Sequence, residues 1–129
     1  IADSVTPSAD RIGDPAYAAA LREIDADPNQ SLVIAEREGE RVGTLQLTFI
    51  PGMVNRGQKR CLVEAVHVAP QHRNLGLGTA LLNYAVERAR AAGCGLVQLT
   101  SNKARTDAHR FYLRLGFAQS HEGFKLRLD

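Results

Sequence analysis

The chain has 129 residues, 44% hydrophobic and 23% charged, with a net charge of +2. That size fits one domain over residues 1–129 with its own core, and so small a net charge excludes a broad polyanion-binding surface, so no nucleic acid partner is expected. No apolar run reaches membrane-spanning length, and no secretory leader is visible although the chain opens on Ile1 rather than Met, so a cytoplasmic location without membrane contact is expected.

Ile1 to Pro15 is polar and broken by Pro7, Gly13 and Pro15, which reads as loop or tail. Ala16 to Ala26 is rich in Ala, Leu and Glu behind Asp14-Pro15, a helix pattern ended by Asp27-Pro28-Asn29. Ser31 to Arg37 and Val42 to Phe49 are predicted strands of a hairpin around Glu38-Gly39-Glu40. Ile50 to Lys59, with Pro51, Gly52 and Gly57, is a loop, and Arg60 to Ala69 is the next strand. Leu77 to Ala92 places Leu77, Leu81, Tyr84, Ala85, Ala89 and Ala92 on one helical stripe, and Gly93 caps it. Leu96 to Ser101 is a short strand. Asp107 is expected to cap a helix running to Leu115 and stopped by Gly116. Phe117 to Ser120 and Phe124 to Leu128 alternate as a closing pair of strands. Cys61 and Cys94 are too few for a disulfide framework and lack zinc spacing, so they read as reduced apolar thiols and no metal is expected.

The segment Val66-His67-Val68-Ala69-Pro70-Gln71-His72-Arg73-Asn74-Leu75-Gly76-Leu77-Gly78-Thr79 carries the chemistry. It is a β-branched strand, a polar turn and two glycines opening a long helix. A helix start leaves backbone N–H groups unpaired and is electropositive. Gly76 and Gly78 lack a Cβ, so a ligand can approach the backbone, and Arg73 adds fixed charge. Such a socket suits a phosphate or pyrophosphate. A dinucleotide-binding domain fits poorly, because the third glycine and a following acid are missing.

Val-x-Val-x-Pro followed by Arg73-x-x-Gly76-x-Gly78 resembles the signature of the GNAT superfamily of acetyl-coenzyme A-dependent N-acetyltransferases. Asp107-Ala108-His109-Arg110-Phe111-Tyr112-Leu113-Arg114-Leu115-Gly116-Phe117 is similar to its second motif, Ala-x-x-Phe/Leu-Tyr-x-x-x-Gly-Phe. Together the two cover roughly residues 31–128. The resemblance implies an α/β (α+β) fold with a mixed, mostly antiparallel central sheet and helices on both faces. Relatives customarily begin with a further strand and helix; no convincing first strand is found here, and those residues are expected to lie upstream of Ile1 or to be trimmed.

What the resemblance implies for the site is specific. Acetyl-coenzyme A would be the cosubstrate and a small-molecule amine the acceptor, with homodimers common among relatives. The N–H groups of Arg73, Asn74, Leu75, Gly76, Leu77, Gly78 and Thr79 would cradle the pyrophosphate. The main chain of Val66, His67 and Val68 would pair with the pantetheine arm, on an edge left free where the strand splits from its parallel neighbour. Tyr112 would give a proton to the leaving thiolate, a phenol being protonated at neutral pH; otherwise it packs its ring with its hydroxyl in water. Glu64 would take the amine's proton, directly or through water, or is a solvated strand charge. His67 is the alternative base, since imidazole titrates near working pH, although its side chain should oppose Val66 and Val68 unless a bulge intervenes. His109, one helical turn before Tyr112, is expected on its face. Many relatives carry an asparagine seven residues before the tyrosine. Here Arg105 stands there, and Asn102 either bonds the pantetheine or ends the strand. Lys103 and Arg105 either meet the cofactor's 3′-phosphate or form a solvated basic loop. Asn55, Arg56, Lys59 and Arg60 suggest an anionic acceptor or an ordinary basic surface. With no cysteine at the expected site, transfer is expected to be direct, without an acyl-enzyme. The competing reading is a non-catalytic module that senses acyl-coenzyme A.

Overall fold

The computed structural model describes Ala2, Asp3 and residues 15–129, so most of the expected N-terminal tail lies outside the described residues. In chain order the elements are β1 (Ala2–Asp3), α1 (Pro15–Ala26), β2 (Gln30–Arg37), β3 (Glu40–Ile50), α2 (Val54–Gly57), β4 (Arg60–Val68), a 3-10 turn (Pro70–His72), α3 (Leu77–Ala91), β5 (Leu96–Gln98) and α4 (Thr106–Arg114). They form two compact units, Ile1–Gln98 and Leu99–Asp129.

The first unit is built on a sheet of order β1-β2-β3-β4-β5. Its pairs are antiparallel except β4 with β5, which is parallel. This is the mixed, mostly antiparallel sheet expected. The short β1, where no first strand was legible, pairs Ala2 with Ile34 and Asp3 with Val33. Two residues carry no alternation for a sequence pattern to reveal. The β2–β3 hairpin closes on Glu38 and Gly39, both left-handed at φ 52 and 79. Two such residues make the turn whose twist matches a hairpin.

Register explains which face is core. Leu47 pairs with Val63 and Phe49 with Cys61, so one face of the sheet presents all four, and all are buried. Leu81, Leu82, Ala85 and Ala89 of α3 are buried too. A methyl on Gly43 would lie 3.1 Å from a Leu81 methyl, so α3 covers this face. Gln46 points the other way along β3 and shares a cleft with Ala20 and Ile24 of α1. Helices therefore cover both faces of the sheet. Helix α3 ends as its sequence indicates. Gly93 is left-handed at φ 80, its N–H reaches the Arg90 carbonyl at 3.0 Å, and that of Cys94 reaches Ala89 at 2.9 Å. This is the Schellman pattern, which pairs carbonyls the helix end leaves free.

The second unit repeats the device. Gly116 sits at φ 99; its N–H bonds Leu113 at 3.0 Å, and that of Phe117 bonds Tyr112 at 3.1 Å. Two features of this unit depart from the sequence pattern. Asp107 is not the cap of α4: the helix starts one residue earlier, Arg105 is at the N-cap without a side-chain bond, and Asp107 lies in the first turn. There its carboxylate still faces the positive helix end. Nor do 117–120 and 124–128 form strands. Alternation alone does not make a strand without a ladder partner. Phe124, Leu126 and Leu128 are instead 94%, 87% and 92% exposed.

Candidate active site

β4 and β5 pair over only three residues of each strand: Arg60 with Leu96, Cys61 with Val97 and Leu62 with Gln98. Beyond Leu62 the two strands part. From Val63 to Val68, β4 has no strand on that side among the described residues. An unpaired strand edge offers a row of N–H and C=O groups to an extended ligand.

Within this free stretch β4 is bulged. Glu64 pairs with Gln46 and His67 with Thr44, so Ala65 and Val66 together oppose Leu45. Ala65 takes the left-handed conformation, φ 54. The extra residue changes which way His67 points. In a regular strand Glu64 and His67, three apart, would lie on opposite faces. Here both register against residues two apart on β3 and share the face opposite α3; both are exposed. Val68 registers with Gly43 on the α3 face.

The strand then turns into α3 through a fastened loop. The Ala69 N–H bonds Val42 at 2.8 Å and that of His72 bonds Ala69 at 2.9 Å. The His72 Nε2 lies 3.5 Å from the Glu40 carboxylate. Arg73 donates its Nε–H to the Val68 carbonyl at 3.2 Å, which ties the turn to the end of β4. Asn74 and Gly76 are both left-handed, φ 65 and 80. The first intrahelical bond of α3 runs from Ala80 to Gly76 at 3.0 Å. The N–H groups of Leu77, Gly78 and Thr79 thus fall before the ladder, and no side chain caps them. Left-handed residues leading into uncapped amides make an anion-binding concavity.

Glycine at 43 was not singled out from the sequence, yet it permits this arrangement. A Cβ there would meet the His67 carbonyl and a Leu81 methyl, each at 3.1 Å. A glycine inside a strand pattern signals such close approach. Below α1 the same face as Glu64 opens into a cleft of about 580 Å³ lined by Ala20, Glu23, Ile24, Asp27, Gln30 and Gln46. The Gln46 amide donates to Gln30 at 2.9 Å, and the Thr48 hydroxyl to the same oxygen at 3.1 Å. Of the loop cations, Lys59 is spent on the C-terminal end of α3, donating to the Ala92 carbonyl at 3.2 Å. Asn55 and Arg56 sit in left-handed backbone, φ 49 and 62.

Asn102 and Tyr112 belong to the second unit. Asn102 is a turn residue: its Oδ1 accepts from the Ala104 N–H at 2.9 Å, and its carbonyl meets the His109 Nε2 at 2.9 Å. Tyr112 is half-buried, with Phe111 at 5.2 Å and Phe117 edge-on at 5.9 Å between ring centroids. Burial raises its pKa above the usual 10.0, while Arg105 opposes the rise. The phenol is therefore held in its protonated form, the state a proton donor needs. Cys61 is wholly buried. Burial, helped by nearby Cys94, pushes its thiol up to about 11. A thiol so held is a poor nucleophile at neutral pH.

Residues 3–117 match the acetyltransferase (GNAT) family model. The aminoalkylphosphonate N-acetyltransferase of Salmonella typhimurium is 40% identical over 98 residues, covering 76% of this chain and 63% of the relative. The chain spans less than two thirds of the length of this relative, and 47% of a streptothricin acetyltransferase from Streptomyces lavendulae that is 30% identical. Among solved structures, a protein from Bacillus halodurans described as a transcriptional regulator superposes with TM-score 0.86 at 43% identity, covering 88% of this chain and 76% of that one.

Proposed function

Because the chain belongs to the acetyltransferase (GNAT) family, we propose that it transfers an acetyl group from acetyl-coenzyme A to the primary amine of a small molecule, by direct attack and without an acyl-enzyme. The observation that carries this reading is the parting of β4 from β5 after Leu62, whose free edge runs without interruption into the uncapped start of α3. These residues fit the cosubstrate's chemistry. The main chain of Val66, His67 and Val68 offers an extended arm strand-like partners. The N–H groups of residues 73–79, with the Arg73 charge, suit a pyrophosphate. The thioester, when bound, supplies the activated acetyl group. The Salmonella relative's name points to a small amine acceptor, and a cleft of about 580 Å³ has room for one.

The amine arrives as an ammonium ion, and two N–H protons must leave it. Glu64, exposed on the sheet face above the cleft, takes the first and frees the lone pair. The N–C bond forms as the C–S bond breaks. Tyr112 gives its proton to the departing thiolate and takes the second amine proton in return, directly or through water, so the net proton ends on sulfur. Asn102 has its Oδ1 spent in its own turn, which leaves its Nδ2 as the group to offer a ligand. Burial of Cys61 supports transfer without an acyl-cysteine.

A second reading, a module that senses acyl-coenzyme A, draws on the description of the Bacillus halodurans neighbour. Thiol release from acetyl-coenzyme A across an amine panel, beside thermal shifts with the cofactor alone, separates the two. Turnover with one acceptor class supports the enzyme. A cofactor shift without turnover on any amine supports the sensor, and the absence of both overturns the coenzyme A reading.

A further inference from the structure

The β4 bulge has a chemical consequence. Left-handed backbone at an alanine costs roughly 1 kcal/mol, so something in the fold must hold it. Its effect is to rotate His67 onto the face of Glu64. Their register partners, Thr44 and Gln46, are two residues apart on β3. That sets the two residues about 7 Å apart along the strand, a gap that their side chains together with bridging water can span.

The neighbours across the strand do not compete for a proton. Thr44 donates its hydroxyl to the Val33 carbonyl at 2.9 Å, and the Gln46 amide is held by Gln30. Among the described residues, the charged groups that register to this face are Glu36 of β2, Arg41 of β3 and Arg60 and Glu64 of β4, while Glu23 and Asp27 of α1 line the cleft. The Asp27 carboxylate is bonded to the Asn29 N–H at 2.8 Å. Among the described residues that register to this face, His67 carries an imidazole, a group able both to accept and to donate a proton.

We infer that His67 relays the acceptor's proton: it takes from Glu64 the proton the ammonium gives up, and releases it to solvent. The inference rests on the acetyltransferase reading above. Each turnover consumes an ammonium and a thioester and yields an amide, a thiol and one proton. The relay carries that proton outward and restores the Glu64 carboxylate for the next acceptor. His67 acts through Glu64, so its removal slows turnover and leaves acceptor and cofactor binding in place. Because it is exposed, His67→Ala and His67→Gln should both fold.

The test measures kcat and KM from pH 5.5 to 9 for the wild type, His67→Ala, His67→Gln and Glu64→Gln, with and without free imidazole. The relay predicts that kcat falls about tenfold in both His67 variants while KM stays within about twofold. It also predicts that the rising limb of the pH profile moves, and that added imidazole restores the rate of His67→Ala. In Glu64→Gln, added imidazole should restore nothing. An unchanged kcat and pH profile in the His67 variants, with an active wild type, overturns the relay and leaves the acetyltransferase reading standing. A fall in kcat that imidazole cannot reverse and that leaves the pH profile unmoved also overturns it, since that marks a structural role. A wild type without turnover on any amine overturns both readings together.

Discussion

Gly78→Glu probes the start of α3 most sharply. Gly78 lies one residue inside the helix and, unlike Gly76 at φ 80, is not left-handed, so a side chain is conformationally admissible. A carboxylate there faces the uncapped N–H groups of Leu77, Gly78 and Thr79. Beside a helix dipole it stabilises the free protein by about 0.3–1 kcal/mol. Replacing a helical glycine adds up to about 1 kcal/mol more. The melting temperature should therefore hold or rise. Binding should suffer instead. A charge about 5 Å from one phosphate charge costs roughly 1 kcal/mol in bulk water and about 3 kcal/mol at a surface dielectric near 20. Two phosphate charges make that about 2–6 kcal/mol, a loss of at least roughly 30-fold in affinity. Gly78→Gln matches the bulk without the charge. Titration calorimetry with coenzyme A should find Glu weaker than Gln by this margin, and the gap should narrow with salt. Equal affinities for the two variants, at any salt, would refute the anion socket.

Three further perturbations address the remaining parts. Tyr112→Phe keeps the ring contacts to Phe111 and Phe117; it should lower kcat about 100-fold and leave coenzyme A affinity within about twofold, in steady-state kinetics beside calorimetry. Cys61, raised from 9.0 to about 11, binds its proton more tightly folded than unfolded. Its contribution, about 2–3 kcal/mol, is fully present below pH 9 and lost as pH rises through about 11. Cys61→Ala should flatten stability against pH in that window, by urea unfolding, while turnover at neutral pH persists. At the bulge, Ala65→Gly should gain up to about 1 kcal/mol and Ala65→Val should lose about 1–2 kcal/mol in the same assay, because φ 54 suits glycine and strains a β-branched residue.

Much of this fold is legible in the sequence because it is local. Gly93 and Gly116 stop their helices where a left-handed residue is required, and Glu38-Gly39 sets the hairpin. The strand-turn-helix from Val66 to Thr79 reads from spacing alone. What resists is non-local. Nothing in an alanine announces a left-handed bulge, so the facing of His67 depends on register with β3. Gly43 matters because Leu81 and the His67 carbonyl, distant in sequence, arrive at it together. The closing strands fail for the converse reason: Phe124, Leu126 and Leu128 alternate as a strand does, yet remain exposed without a ladder. The four-residue α2 surprises less, since Asn55 and Gly57 both tolerate positive φ.

Acetyl transfer to an amine is what the free β4 edge and the uncapped start of α3 are proposed to serve. The most direct measurement is mass spectrometry of the products after the wild type is incubated with acetyl-coenzyme A and small primary amines, with aminoalkylphosphonates among them. Acetyl transfer predicts one acceptor heavier by an acetyl group, one free thiol for each amide formed, and no acetylated protein. Acetyl-coenzyme A recovered intact beside every amine, or an acetyl group retained on Cys61 or Cys94, would contradict it.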